Sequence, residues 1–179
     1  MPAYHSSFND GQYRNLGNIA LLPLKTKIRG PAPSAVDADT DDIVDEAIGL
    51  FRANCFFRNF EIKGGGDRAL IYLLLFMQEC LQKLQKLPSS VEGQRTLMTH
   101  AMQNFAIPGE NQFPLNAMYE KPVSKNDQDQ LRQYLSQLRQ ECASRLAAKI
   151  YDGKEVPSKW WLCFSKRKFM NLPNVGTMA

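Results

Sequence analysis

Nine consecutive positions, Ala69-Leu-Ile-Tyr-Leu-Leu-Leu-Phe-Met77, carry only apolar or aromatic side chains. A helix over this run is hydrophobic on every face, so other elements must surround it in water. The pattern predicts such a helix from Arg68 to about Lys86, polar only over its last turns, Gln78 to Lys86. The remaining apolar positions recur at helical spacing on either side of it. Ile43, Val44, Ala47, Ile48, Leu50, Phe51 and Cys55 follow an acidic start, Asp39-Thr-Asp-Asp42, that offers an N-cap and suits the helix dipole. Lys63-Gly-Gly-Gly66 ends that unit as a turn, and Asp67 is expected to cap the enclosed helix. Ser89-x-x-Glu92 is a capping-box pattern ahead of Leu97, Met98, Ala101, Met102 and Phe105. A fourth helix is predicted from about Ser124 to Tyr151. There Leu131, Tyr134, Leu135, Leu138, Cys142 and Leu146 share an arc of about 120°, with Gln, Arg and Glu outward and Asp152-Gly153 as the stop. A short fifth helix is expected from Ser158 to about Met170.

Between the third and fourth helices, Pro108, Gly109, Pro114 and Pro122 enforce a loop. Its Ile107, Phe113, Leu115, Met118 and Tyr119 predict that the loop packs on the body. Residues 1–36 lack helical periodicity, since Leu16 to Leu24 is apolar but broken by Gly17 and Pro23. They read as an extended N-terminal arm lying across the domain. No internal repeat and no strand pair stands out. The expected fold is all-α, a compact domain of about five helices with the 68–86 helix enclosed. One domain spans 1–179: an arm at 1–36, a helical body at 37–171 and a short tail at 172–179.

Composition narrows the class. Hydrophobic content of 44% and charged content of 22% are ordinary for a soluble globular chain. Nine apolar residues fall far short of the roughly 20 that a membrane-spanning helix needs. The first ten residues show no basic-then-apolar leader, and Cys55, Cys80, Cys142 and Cys163 include no C-x-x-C pair. Buried thiols in the cytoplasm are therefore expected.

Catalytic signatures are missing. His5 and His100 lie at no metal-ligand spacing from cysteine or carboxylate, so no metal is expected. Gly64-Gly65-Gly66 lacks the following Lys-Ser/Thr of a phosphate loop, and no G-x-S-x-G occurs. The reading is a non-enzyme without a cofactor.

Charge arithmetic singles out the C-terminal segment. Residues 154–179 hold five Lys/Arg against one acid, the whole net charge of +4. Within Pro157 to Asn171 stand both tryptophans, Phe164, Phe169 and Lys166-Arg167-Lys168. On a helical wheel Trp160, Trp161 and Phe164 share an arc of about 100°, with Lys168 inside it and Arg167 just outside. Lys159, Trp160, Trp161, Lys166, Arg167, Lys168 and Phe169 are therefore the candidate partner interface, because Trp and Arg are over-represented at such surfaces. A competing placement has both tryptophans plugging the bundle while the cations stay solvated. A free-standing basic adaptor for nucleic acid or anionic membrane is the alternative function. One short patch is little charge for that role, and an acidic protein surface suits it better.

These segments also resemble a known family, the 21 kDa subunit (subunit 3) of the actin-related protein 2/3 complex. The resemblance rests on MPAYHS at Met1 to Ser6, LGNIALLPL at Leu16 to Leu24 and RGPAP at Arg29 to Pro33. It continues through DIVDEAI at Asp42 to Ile48, FRANCFFRNFEIK at Phe51 to Lys63 and DRALIY at Asp67 to Tyr72. NFAIPG and FPLNAMY between Asn104 and Tyr119, then PSKWW and KRKFMN between Pro157 and Asn171, complete it. It implies a non-catalytic, all-helical subunit of a seven-protein assembly that nucleates branched actin filaments. It further implies docking on actin-related protein 3 near the mother filament, with nucleotide held by the actin-related subunits. The actin filament and the other subunits are the expected partners, and the cytoplasmic actin cytoskeleton the expected location. Glu110-Asn-Gln-Phe113 lacks the Pro-Gly turn frequent in the family, and Gly64-Gly-Gly66 is more flexible than its usual linker.

Overall fold

The computed structural model describes residues 3–175. Five α-helices dominate it: α1 (Ile43–Asn54), α2 (Gly65–Lys83), α3 (Ser90–Met102), α4 (Lys125–Tyr151) and α5 (Lys159–Leu162). A two-stranded antiparallel hairpin, β1 (Asn15–Leu16) and β2 (Ile19–Ala20), precedes them. The fold is therefore mostly helical without being strictly all-α.

The uniformly apolar run is the interior of α2. Every residue from Ala69 to Leu81 is buried, even Gln78 and Glu79 near its polar end. α1, α3, α4, β2 and the N-terminal turn all pack against it. At the N-terminus of α1, Asp42 accepts the amides of Val44 and Asp45 while Asp45 accepts that of Asp42, closing a reciprocal cap. Ser89 and Glu92 do the same for α3. Asp152 takes a left-handed conformation (φ 46°) to end α4, as the Asp-Gly pair predicts.

Residues 3–36 are not a simple extended arm. A 3₁₀ turn at Ser7–Asp10 leads to the hairpin, where Asn15 faces Ala20 and Leu16 faces Ile19. Leu16, Ile19, Leu22 and Leu24 are fully buried. Gly17, which reads as a break in an apolar run, is the hairpin turn itself. Its φ is +64°, and a Cβ there would lie 2.3 Å from the Glu120 carbonyl oxygen. Strands of two residues are too short to show an alternating pattern, which hides them in the sequence. Farther along, Leu22 N–H donates to the Tyr134 hydroxyl (3.1 Å). The buried Gln137 of α4 holds the next loop, donating to the Ile28 carbonyl and accepting from Ala32 N–H.

Asp67 does not cap α2, because the helix begins two residues earlier. Its buried carboxylate fastens the N-terminal segment instead, accepting Ser6 N–H (2.8 Å) and Lys63 N–H (3.0 Å) and lying 2.7 Å from His5 Nδ1. Gly65 and Gly66 permit this approach. A Cβ on Gly65 would lie 2.8 Å from Ala20 N, and one on Gly66 would lie 2.9 Å from Asn9 Oδ1. The triple glycine is thus a packed junction and not a free hinge.

α4 buries more than its apolar arc. Arg139 is fully buried, with its guanidinium 4.7 Å from the Phe76 ring centroid and 4.5 Å from that of Phe105. It donates to the Ala101 and His100 carbonyls at the C-terminus of α3, where a cation complements the helix dipole, and to the Tyr72 hydroxyl. Arg145 bridges α4 to α1 through Asp42 and Asp45. The expected outward Gln/Arg face of α4 is therefore partly an internal one. The loop before α4 packs as predicted, with Ile107, Phe113, Leu115 and Tyr119 buried.

Residues 176–179 of the expected tail lie outside the described residues, as do Met1 and Pro2. Val175, at the described end of the tail, is buried.

Candidate partner interface on the C-terminal segment

The C-terminal segment is built on a four-residue helix. After Leu162 the chain leaves α5, turns through Ser165 and forms a 3₁₀ turn at Phe169–Asn171, where Met170 and Asn171 have positive φ. The expected helix to Met170 stops early, and side chains at the end of α2 and just after it hold the segment where it leaves helical form. Gln78 Nε2 donates to the Phe164 carbonyl (3.3 Å), Gln82 Nε2 to the Ser165 carbonyl (3.4 Å) and Gln85 Nε2 to the Ser165 hydroxyl (3.1 Å). This explains the polar end of α2. Those amides satisfy polar groups that an interrupted helix leaves open.

Ending α5 here separates the candidate residues. Trp161 is only 7% exposed and Phe169 only 1%. Trp160, their neighbour, is 78% exposed. Lys159, Lys166, Arg167 and Lys168 all reach solvent. The helical-wheel arc drawn through Phe164 and Lys168 does not exist beyond Leu162. Trp161 and Phe169 anchor the segment, while Trp160 and the four cations form its outer surface.

The anchors meet the stretch Phe51 to Phe60. Trp161 stacks on Phe51 with centroids 6.1 Å apart, and the Arg52 guanidinium sits 4.4 Å from the Trp161 ring centroid. Phe164 packs edge-on to Phe51 and Phe56, and Arg167 lies 5.0 Å from the Phe56 centroid. Met170 N–H donates to the Phe57 carbonyl, and Phe169 meets Phe60 edge-on at 5.6 Å. The two segments run alongside each other. Cys55 lies in this seam, where burial pushes its thiol up to about 11 although Arg167 pulls the other way.

Arg52 and Phe56 therefore belong to the same outer surface, since both are exposed and both touch the segment's side chains. They were not among the residues expected there. Phe51-Arg-Ala-Asn-Cys-Phe-Phe-Arg-Asn-Phe60 does interleave rings and cations as the C-terminal segment does, and that shared composition is the signal pointing to them. Beside this surface, a hollow of about 530 Å³ is lined by Arg52, Lys149, Lys154, Lys159 and Trp160, with Asp152. Its charge is predominantly positive.

Little else resembles a chemical site. Among the described residues no group of three or more His, Cys, Asp or Glu is placed to hold a metal ion. No helix among them is long and apolar enough to cross a membrane. Cys163 is exposed, contrary to the expectation of four buried thiols, whereas Cys55, Cys80 and Cys142 are buried.

Comparison with known proteins bears on the whole chain. Residues 1–173 match the P21-Arc family, described as the ARP2/3 complex ARPC3 (21 kDa) subunit. Actin-related protein 2/3 complex subunit 3 of Schizosaccharomyces pombe is 57% identical over 173 residues, covering 96% of this chain and 98% of the relative. Its Saccharomyces cerevisiae namesake is 51% identical, covering 96% and 98%. A probable subunit 3 from Caenorhabditis elegans is 49% identical, covering 98% and 97%. With so complete a match, the chain belongs to the P21-Arc family, the non-catalytic 21 kDa structural subunit of the actin-related protein 2/3 complex.

Proposed function

We propose that this chain docks on actin-related protein 3 within that complex, near the mother filament, and thereby supports actin nucleation and filament branching in the cytoplasmic actin cytoskeleton. The docking surface consists of Lys159, Trp160, Lys166, Arg167 and Lys168, with Trp161 and Phe169 holding it in shape from beneath. The observation that carries this reading is Trp160. A large indole left 78% exposed beside several cations is costly in water and suits a desolvated contact with an acidic protein surface. Arg52 and Phe56 extend the same face.

Reconstitution tests it. Replacing Lys166, Arg167 and Lys168 together with Glu should weaken assembly or branching while circular dichroism stays unchanged, because all three side chains face solvent. Unaltered branching in the reconstituted complex would refute the interface. Recovery of the tagged chain without actin-related proteins, together with salt-sensitive binding to RNA or acidic vesicles, would instead favour a free-standing basic adaptor.

A further inference from the structure

Ahead of α1, a separate cavity of about 250 Å³ has Phe8, Pro23, Ala35 and Val36 among its lining residues, with Asp37, Asp41 and Asp42. Its apolar part is open to water, and the Val36 side chain is fully exposed. The chain that forms it is acidic, and the nearby Lys25 amine is already engaged by Asp45 and the Ala38 carbonyl. Six acids and no Lys or Arg occur between positions 37 and 46. Three of the six have internal tasks. Asp42 and Asp45 pair with Arg145, Asp45 also meets Lys25, and Glu46 accepts from Ser7. Asp37, Asp39 and Asp41 are exposed, and no ion pair among the described residues reaches them. The Asp39 amide and the Thr40 hydroxyl hold Asp37 below the usual carboxylate range, so it stays charged. Asp42, Asp45 and Glu46 already complement the α1 dipole, so Asp37, Asp39 and Asp41 are not needed for it, and Asp37 otherwise closes a local turn onto Asp39 and Thr40.

We infer that this acid-fringed apolar cavity receives a basic segment of a protein partner, anchored by one aliphatic or aromatic side chain. Charge complementarity selects the occupant, because an acidic or neutral segment would leave three like charges crowded around the buried anchor. Room exists for the flanking residues. Asp41 also lines the next hollow along α1, where Asp45 and Asp152 stand with Arg145 and Lys149, and a Cβ built on Gly49 there meets nothing within 4 Å. This face differs in sign from the basic C-terminal surface, so the two engage partners of opposite charge and the inference stands apart from that reading.

Placing photo-crosslinking benzoylphenylalanine at position 36 tests it in the full chain within the assembled complex, irradiated with and without actin filaments. Sequenced crosslinks should fall on a segment of another subunit or of the filament that is net positive around an apolar residue. Asp37→Lys with Asp41→Lys should cut the yield by roughly fivefold or more, and Asp37→Glu with Asp41→Glu should preserve it. A crosslink confined to an acidic segment or to a second copy of this chain would overturn the assignment. So would no product above the unirradiated control, or a yield indifferent to charge reversal.

Discussion

Phe51 and Trp161 stack face to face, their centroids 6.1 Å apart and their planes inclined by 26°, across 110 positions of chain. Arg52 covers the other partner of this pair, 4.4 Å from the indole centroid. The contact draws the C-terminal segment onto α1 and turns the adjacent Trp160 outward. Two consecutive tryptophans thereby acquire opposite tasks.

Truncation should separate them. Trp161→Ala is expected to lower unfolding free energy by about 3–5 kcal/mol, the usual loss for a large buried aromatic. Trp160→Ala should change it by less than about 0.5 kcal/mol, as for an exposed position. Urea denaturation of the full chain measures both, and equal losses would contradict the division of roles.

Leu74→Asp should abolish the cooperative fold. Leu74 is 1% exposed at the centre of the enclosed helix, and an unpaired carboxylate there has no solvent and no cation to meet. Lys83→Asp at the exposed end of the same helix is the control. Far-ultraviolet circular dichroism with thermal melting distinguishes them. A sharp melt for the Leu74 variant would show that α2 is less enclosed than its burial states.

Acid should weaken the tie between α1 and α4. Burial tends to raise the Asp45 carboxyl, but the Lys25 hydrogen bond, the Asp42 amide and the charge of Arg145 together hold it below the usual 3.8. A depressed folded value means that the stabilisation is present above pH of about 4 and disappears as pH falls through the folded value. Asp45→Asn should therefore be less stable than the parent at neutral pH, with the gap closing in stronger acid. A gap independent of pH would exclude Asp45 as its source.

Thiol reactivity should be confined to a single cysteine in the native chain. Cys163 is exposed, whereas burial raises Cys55 to about 11, Cys142 to about 12 and Cys80 well above 9.0. Buried thiols are both inaccessible and protonated near neutrality, and the thiolate is the nucleophile. A chromogenic disulfide reagent at mildly alkaline pH should release one equivalent rapidly and the rest only in denaturant. Loss of the rapid phase in Cys163→Ser would confirm the assignment, and its persistence would contradict it.

Much of the helical frame was legible because burial there is periodic. The nine-residue apolar run could only be an enclosed helix, and the Ser89–Glu92 pair showed where α3 begins. The hairpin was hidden because two-residue strands carry no period, and Gly17 looked like an interruption until its neighbour Glu120 was known. On the candidate surface, composition marked the cations and rings as one group, and the structure buries Trp161 and Phe169 while Trp160 and the cations reach solvent. Composition could not separate Trp160 from Trp161, since a helical wheel assumes a helix that here ends at Leu162.

By itself the sequence determined the four long helices, the packed proline-containing loop and membership in the P21-Arc family, since each of these is written in local spacing or in ordered blocks. Tertiary structure alone decided that Asp67 clamps the N-terminal segment, that Arg139 is buried between Phe76 and Phe105, and that Trp160 faces water. Each of those outcomes depends on a partner tens of positions away. Local periodicity registers which side of an element is buried, but not which distant polar group makes burial of a charge tolerable.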